Sequence, residues 1–310
     1  MKQYKYLTAD VFTSTRFGGN PLAVVLDAAE LNDAHMQKIA REFNYSETTF
    51  VSALAADENN TPRFAVRIFT PARELPFAGH PTIGTAAVLA HTGLLDRKQH
   101  DRVILQEGVG PVVVQFNASG AWLTAAQPIR FSPAEAPSRE LLARGLSLEP
   151  EDIGTVDARG HRYHTQGAST GIPSLNVPVR NREVLGRARI RQDVWEEQLQ
   201  SQWAPDPYLF CFDPEDAGNQ IRARKFAMTA GVGEDPATGS AATTLAGYLA
   251  QHDPVVQAAE NGRFEWRIEQ GYEMGRPSLL VARAEKSRGI VSACGVGGDS
   301  VIVCEGTLRT

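Results

Sequence analysis

The order of apolar and polar positions along this chain of 310 residues runs its course twice. In the first half, alternation predicts a strand over 4–12. Gly18-Gly19-Asn20-Pro21 is a turn signal, and 22–26 is a short apolar strand. Asn32 or Asp33 can cap a helix to about residue 43, because Met36, Ile39, Ala40 and Phe43 recur at helical spacing, and Asn44 is suited to end it. Strands at 48–52 and 63–69 follow, then a turn over 70–79 and a helix of small residues over 81–91. Strands at 102–106, 112–116 and 121–125 close the half, with 117–120 as the last hairpin turn.

The second half repeats that order. Gly171-Ile172-Pro173 precedes a strand at 175–179, as Gly19-Asn20-Pro21 precedes 22–26. A helix is predicted over 191–203, strands at 208–212 and 222–228, a turn over 231–236 and a helix over 237–251. Strands at 263–269, 278–283, 289–293 and 300–304 end the chain. The two small-residue helices align on Gly84 and Gly239, which are 155 positions apart, and each follows a basic-aromatic strand (Arg67-Ile68-Phe69, Arg224-Lys225-Phe226). Neither helix carries a charge from Pro81 to Ala90 or from Ala237 to Gln251, and a helix that is apolar all round must be buried. The pattern therefore predicts a duplicated α+β chain, with a curled sheet around one central helix in each half. The halves are expected at 1–127 and 128–310, the final strand returning to the first, with the proline-rich stretch 128–160 as linker and entry. Two such halves would bring two similar helix starts to one cleft.

Composition narrows the function classes. The chain is 42% hydrophobic and 22% charged, ordinary for two globular cores. A net charge of −5 and the lack of any basic stripe disfavour nucleic acid as a partner. There is no apolar leader pattern near Met1 and no apolar run of about 18 residues, so a cytoplasmic chain that does not span a membrane is expected. Cys211, Cys294 and Cys304 form no CxxC and fit reduced thiols.

The candidate chemistry gathers at the helix starts. The first backbone N–H groups of a helix have no partner within the helix, and small residues let an anion approach them. Gly79-His80-Pro81-Thr82 and Thr238-Gly239-Ser240 both fit, with Pro81 suited to a first helical position. Glu47 stands between a helix end and a strand, where it is either a catalytic carboxylate or an exposed loop acid. Asp235, in Glu234-Asp235-Pro236, is either an acid of the site or a helix cap, and Glu74 beside Arg73 reads as a surface pair. His80 could relay a proton. HxxxH, HExxH, CxxC and P-loop patterns are absent, so neither a metal nor a nucleotide is expected, and His161-Arg162-Tyr163-His164 reads as a polar loop. Gly295-Val296-Gly297-Gly298 reads as a turn.

Four segments together resemble the signatures of the phenazine-biosynthesis (PhzF-like) isomerase family: 19–24 (Gly-Asn-Pro-Leu-Ala-Val), 42–48 (Glu-Phe-Asn-Tyr-Ser-Glu-Thr), 77–82 (Phe-Ala-Gly-His-Pro-Thr) and 234–241 (Glu-Asp-Pro-Ala-Thr-Gly-Ser-Ala). Gln270-Gly271 and 274–278 also fit. The resemblance implies a diaminopimelate epimerase-like fold with the site between two halves, and a homodimer working without cofactor. It implies Glu47 as the proton-shuttling acid/base, assisted by His80, Asp235 and Ser240. Asn20, Gly79, Pro81, Thr238 and Gly239 would bind a small carboxylate substrate. No cysteine stands at either helix start, which disfavours a two-thiol racemase. A lyase or dehydratase using the same base, and a non-catalytic anion-binding protein, are the competing expectations.

Overall fold

The structure is a computed structural model in which residues 2–118 and 120–310 are described; Ser119, in the predicted turn 117–120, lies outside them. The chain divides into two compact units. One is formed by the residues up to Thr124 with Gly297–Thr310, the other by Ala125–Val296.

In the first unit, strand Gln3–Val11 pairs antiparallel with Asn20–Val25, which runs parallel to Glu47–Leu54. Glu47–Leu54 pairs antiparallel with Arg63–Phe69, which pairs antiparallel with Glu74–Leu75 and parallel with Arg102–Glu107. Arg102–Glu107 turns back into Gly110–Asn117, and that into Gly120–Thr124. The last strand, Ser300–Arg309, pairs antiparallel with the first.

The second unit repeats the same series of pairings. Gln166–Ser169 is antiparallel to Pro173–Pro178, which is parallel to Pro207–Cys211. Pro207–Cys211 is antiparallel to Ile221–Ala227, which pairs antiparallel with Gly233–Asp235 and parallel with Gly262–Gln270. Gly262–Gln270 turns back into Ser278–Ser287. The duplication is therefore a matter of strand order and direction, which sequence identity shows only faintly.

Each unit wraps its sheet around one helix. Gly79–His91 touches Gln3–Val11, Asn20–Val25, Glu47–Leu54, Arg102–Glu107, Gly110–Asn117, Gly120–Thr124 and Ser300–Arg309. Gly239–His252 touches Gln166–Ser169, Pro173–Pro178, Gly262–Gln270 and Ser278–Ser287. Both are buried along most of their length, as their lack of charge requires. Outside the sheets lie satellite cores. Helix Asp33–Phe43, capped by the Asn32 side chain on the His35 N–H and closed by Asn44 at φ 53°, buries Met36, Ile39 and Ala40 against Phe50 and Phe69.

The equivalent glycines are Gly79 and Gly239, each the first residue of its helix, rather than Gly84 and Gly239. Pro81 is the third helical residue. Its missing N–H costs nothing there, because the first intrahelical bond is from Thr82 N–H to Ala78 O. Gly84 has a different purpose. A Cβ on it would lie 2.5 Å from Val11 Cγ2 and 2.6 Å from Leu22 Cδ2. Gly84→Ala is therefore expected to lower stability by about 1–3 kcal/mol through overpacking, more than the helix propensity it gains, as a urea unfolding midpoint would read.

Three further expectations are corrected. The stretch 128–160 contains helix Arg139–Leu146, capped by Ser138 on the Leu141 N–H, which packs Leu142, Ala143 and Leu146 into a core of the second unit. The helix predicted over 191–203 is present but shorter, Gln192–Val194 continued by the wide-turned Trp195–Leu199, and a separate short helix, Arg182–Arg187, precedes it. The glycines 295–298 lie inside strand Ile290–Gly298, not in a turn. The Trp122 ring covers Gly297 so closely that a Cβ would sit 2.3 Å from it.

Candidate active site

The first unit builds a carboxylate–imidazole pair. Parallel pairing sets Glu47 opposite Leu22, two residues after Asn20, so that the starts of both strands lie side by side. Glu47 is the first residue of its strand, not a loop acid, and its side chain is only 12% exposed. His80, second in its helix, is buried and brings Nε2 to 3.4 Å from Glu47 Oε2. Behind the ring, Asn20 is fully buried and its side-chain nitrogen lies 3.2 Å from His80 Nδ1. The Asn20 amide oxygen accepts from the Ser46 hydroxyl, so its NH₂ end faces the imidazole. Nδ1 thus meets the Asn20 amide while Nε2 faces Glu47, and the tautomer sets the direction of the Asn20 bond. Burial pushes the His80 pKa down to about 3, against an upward pull from the Pro21 carbonyl, so the ring is neutral at neutral pH. Gly19, at φ 60°, allows the approach of this loop: a Cβ there would lie 2.4 Å from the Val11 carbonyl oxygen.

The second unit builds a different set on the same plan. Asp235 ends the short strand Gly233–Asp235, opposite Lys225, and is buried. Its carboxylate accepts from the Thr238 hydroxyl, and Thr238, the residue before the helix, makes no side-chain cap bond. Asp235 is thus no helix cap. Gln270 holds this turn. Its NH₂ group donates to the Asp235 carbonyl (2.7 Å) and to Thr238 Oγ1 (3.1 Å), and its oxygen accepts from the Thr238 N–H (3.3 Å) and the Tyr208 hydroxyl (3.2 Å). Lys225, buried, donates to Ser174 Oγ and the Asp206 carbonyl; burial lowers its pKa to about 8, while the charges of Asp206 and Asp235 hold it up. Ser240, second in its helix, is half-buried and Gly239 is buried.

In each unit the expected residues thus gather at a helix start: Glu47, His80, Asn20, Gly79 and Pro81 in the first, Asp235, Thr238, Gly239 and Ser240 in the second. Sequence reading missed Lys225, Tyr208 and Glu107. The repeated Glu107-Gly108 and Gln270-Gly271, each ending a strand, were the available signal. Glu74 pairs with Arg67 rather than Arg73, through two 2.7 Å bonds. Among the described residues no cluster of three or more His, Cys, Asp or Glu side chains could hold a metal. No helix among them is long and apolar enough to cross a membrane.

The model of the phenazine biosynthesis-like proteins, PhzC-PhzF, matches residues 9–306. This chain belongs to that family. Within it, the chain is 36% identical to an uncharacterized isomerase of Mesorhizobium japonicum, an alignment covering 99% of each. It is also 36% identical to trans-2,3-dihydro-3-hydroxyanthranilate isomerase of Pseudomonas chlororaphis, over 98% of this chain and 99% of that one. A PhzF-family protein of Bacillus anthracis has the same fold, with a TM-score of 0.86 at 27% identity over the whole of both chains. The fold is the diaminopimelate epimerase-like α+β fold that the resemblance implied, and the enzyme class is isomerase.

Proposed function

We propose that this PhzF-family protein is a cofactor-independent isomerase that moves a proton between carbon positions of a small carboxylate. The observation that supports this best is the Glu47–His80 pair, with His80 buried and Glu47 only 12% exposed. An isomerase of this kind needs one group that both removes and returns a proton. Glu47 can do so because the neutral His80 orients it without neutralising it, as a charged imidazolium would. The base takes a proton from one carbon, the proton on the base exchanges with solvent, and a proton is returned to another carbon, so in water the atoms balance and the mass is unchanged. The family resemblance supports Asp235 and Ser240 as assisting residues, and Asn20, Gly79, Pro81, Thr238 and Gly239 as substrate-binding residues, the helix-start N–H groups being suited to a carboxylate. The family resemblance adds a homodimer in the cytoplasm.

The test is solvent exchange. The protein is incubated in D₂O with trans-2,3-dihydro-3-hydroxyanthranilate, the compound in the name of the Pseudomonas chlororaphis relative, and with a panel of small carboxylates, and products are read by mass spectrometry. The expected result is an isomer carrying one solvent deuteron. A product lighter by water would identify a dehydratase. Ligand-induced thermal stabilisation without exchange across the panel would identify a binding protein. Either outcome overturns the isomerase reading.

A further inference from the structure

Glu107 is the buried acid for which the reaction has no use. It ends strand Arg102–Glu107, is 5% exposed, and touches the helix that carries His80. Thr82 Oγ1 lies 2.7 Å from Glu107 Oε1 and 2.7 Å from the Ala78 carbonyl oxygen. The proton count decides how these three oxygens are joined. The carbonyl can only accept, and the hydroxyl has a single proton to give. Both contacts are hydrogen bonds at once only if Glu107 supplies a proton to Thr82 while Thr82 donates to Ala78. Glu107 Oε2 is buried and has no hydrogen-bond partner, which suits an acid and would be costly for a carboxylate.

The second unit holds the matching place with a residue that cannot ionise. Glu107-Gly108 and Gln270-Gly271 both end the strand that runs parallel to the basic-aromatic strand of their unit. In both, the glycine lets the strand end reach the turn before the helix. A Cβ on Gly108 would lie 2.8 Å from Pro76 Cα, and one on Gly271 would lie 2.5 Å from the Pro236 carbonyl oxygen. Gln270 braces the residue before its helix, Thr238, and the Asp235 carbonyl. Glu107 reaches the residue before its helix, Ala78, through Thr82.

We propose that Glu107 is a positioning residue acting as a neutral carboxylic acid, the counterpart of Gln270, whose proton chain through Thr82 to Ala78 fixes the helix start bearing His80. Its surroundings favour that form. Burial pushes the Glu107 pKa up to about 8, and the Thr82 hydroxyl is the one group that opposes it. The charges on neighbouring elements are engaged elsewhere or exposed: Arg63 bonds Gln106, Arg67 bonds Asp33 and Glu74, and Arg73, His91 and Arg102 are exposed. His80 is neutral.

The role of His80 rests on the isomerase reading, so the test uses the protein without substrate. Carboxyl-labelled Glu and ring-labelled His are followed by NMR from about pH 5 to pH 10, with His80→Asn assigning the His80 signal. One Glu is expected to titrate near 8, the His80 signal is expected to move in step, and Glu107→Gln is expected to remove both changes. A chain in which every Glu has ionised by about pH 6, or in which His80 ignores the ionisation of Glu107, overturns the proposal. Unfolding midpoints supply a second reading. Unfolded Glu107 loses its proton near its ordinary value of 4.5 and the folded residue near 8, so between them only the folded state holds the proton. Wild-type stability therefore falls across that window relative to Glu107→Gln, and the gap widens up to about pH 8 and is constant above it. A gap that stays level or narrows contradicts the inference. Absence of turnover on every carboxylate would sink the isomerase reading and leave these readings unaffected.

Discussion

Glu47→Gln is expected to lower turnover by about 10²- to 10⁴-fold or more, the contribution typical of a positioned acid/base group, while the fold survives. Glutamine is nearly isosteric with glutamate and fills the same place beside His80 Nε2, 3.4 Å away in the wild type. What it loses is the ability to take and return a proton. The loss should therefore appear in kcat and in deuterium incorporation together, with the affinity for the carboxylate nearly intact. Glu47→Asp draws the carboxylate back from the substrate by one methylene and should fall between wild type and Glu47→Gln. Full deuterium incorporation by Glu47→Gln would remove Glu47 from the chemistry, and Asp235 would become the next base to test. His80→Asn, by contrast, should cost less and act through the orientation of Glu47, since the neutral ring holds no proton the reaction consumes.

The parts of this site that were legible in the sequence are those carried by local pattern. The charge-free helices announce burial, and the small residues Gly79 and Gly239 announce approachable helix starts. Asn44 announces a helix end because few other residues accept φ 53°. What was not legible depends on partners distant in sequence. Pro81 is acceptable at any of the first helical positions, so nothing local separates a start at Pro81 from one at Gly79. Helix Arg139–Leu146 is eight residues long and follows prolines, too short for periodicity to stand out. Glu107 reads as a polar strand end, and its burial follows from the Gly108–Pro76 approach across 32 positions of chain. Arg224 reads as a charge on a strand and turns out to be 3% exposed.

That arginine carries the largest stability effect expected here. Its Nε and Nη2 each donate to one oxygen of Glu234, both at 2.8 Å, and Nη1 donates to the carbonyls of Leu185 (2.7 Å) and Ala188 (2.9 Å). The planar fork thus ties strand Ile221–Ala227 to the end of helix Arg182–Arg187 and to the residue beside Asp235. Arg224→Ala leaves the Glu234 carboxylate, 19% exposed, without its cation and takes one of two donors from each of the Leu185 and Ala188 carbonyls, and breaking a largely buried pair in this way costs about 3–5 kcal/mol. Against a total stability of about 5–15 kcal/mol, that is a large fraction. Arg224→Lys should recover little, because one ammonium cannot span a carboxylate on one side and a helix end on the other. Arg67 supplies the contrast. It also forks onto a carboxylate, Glu74, and reaches Asp33, but its side chain is 35% exposed and its partners more so. Water screens that cluster, and Arg67→Ala should cost about 1 kcal/mol or less. Urea unfolding of both variants decides the matter. A loss for Arg224→Ala no larger than for Arg67→Ala would mean that the fork contributes no more than a surface ion pair.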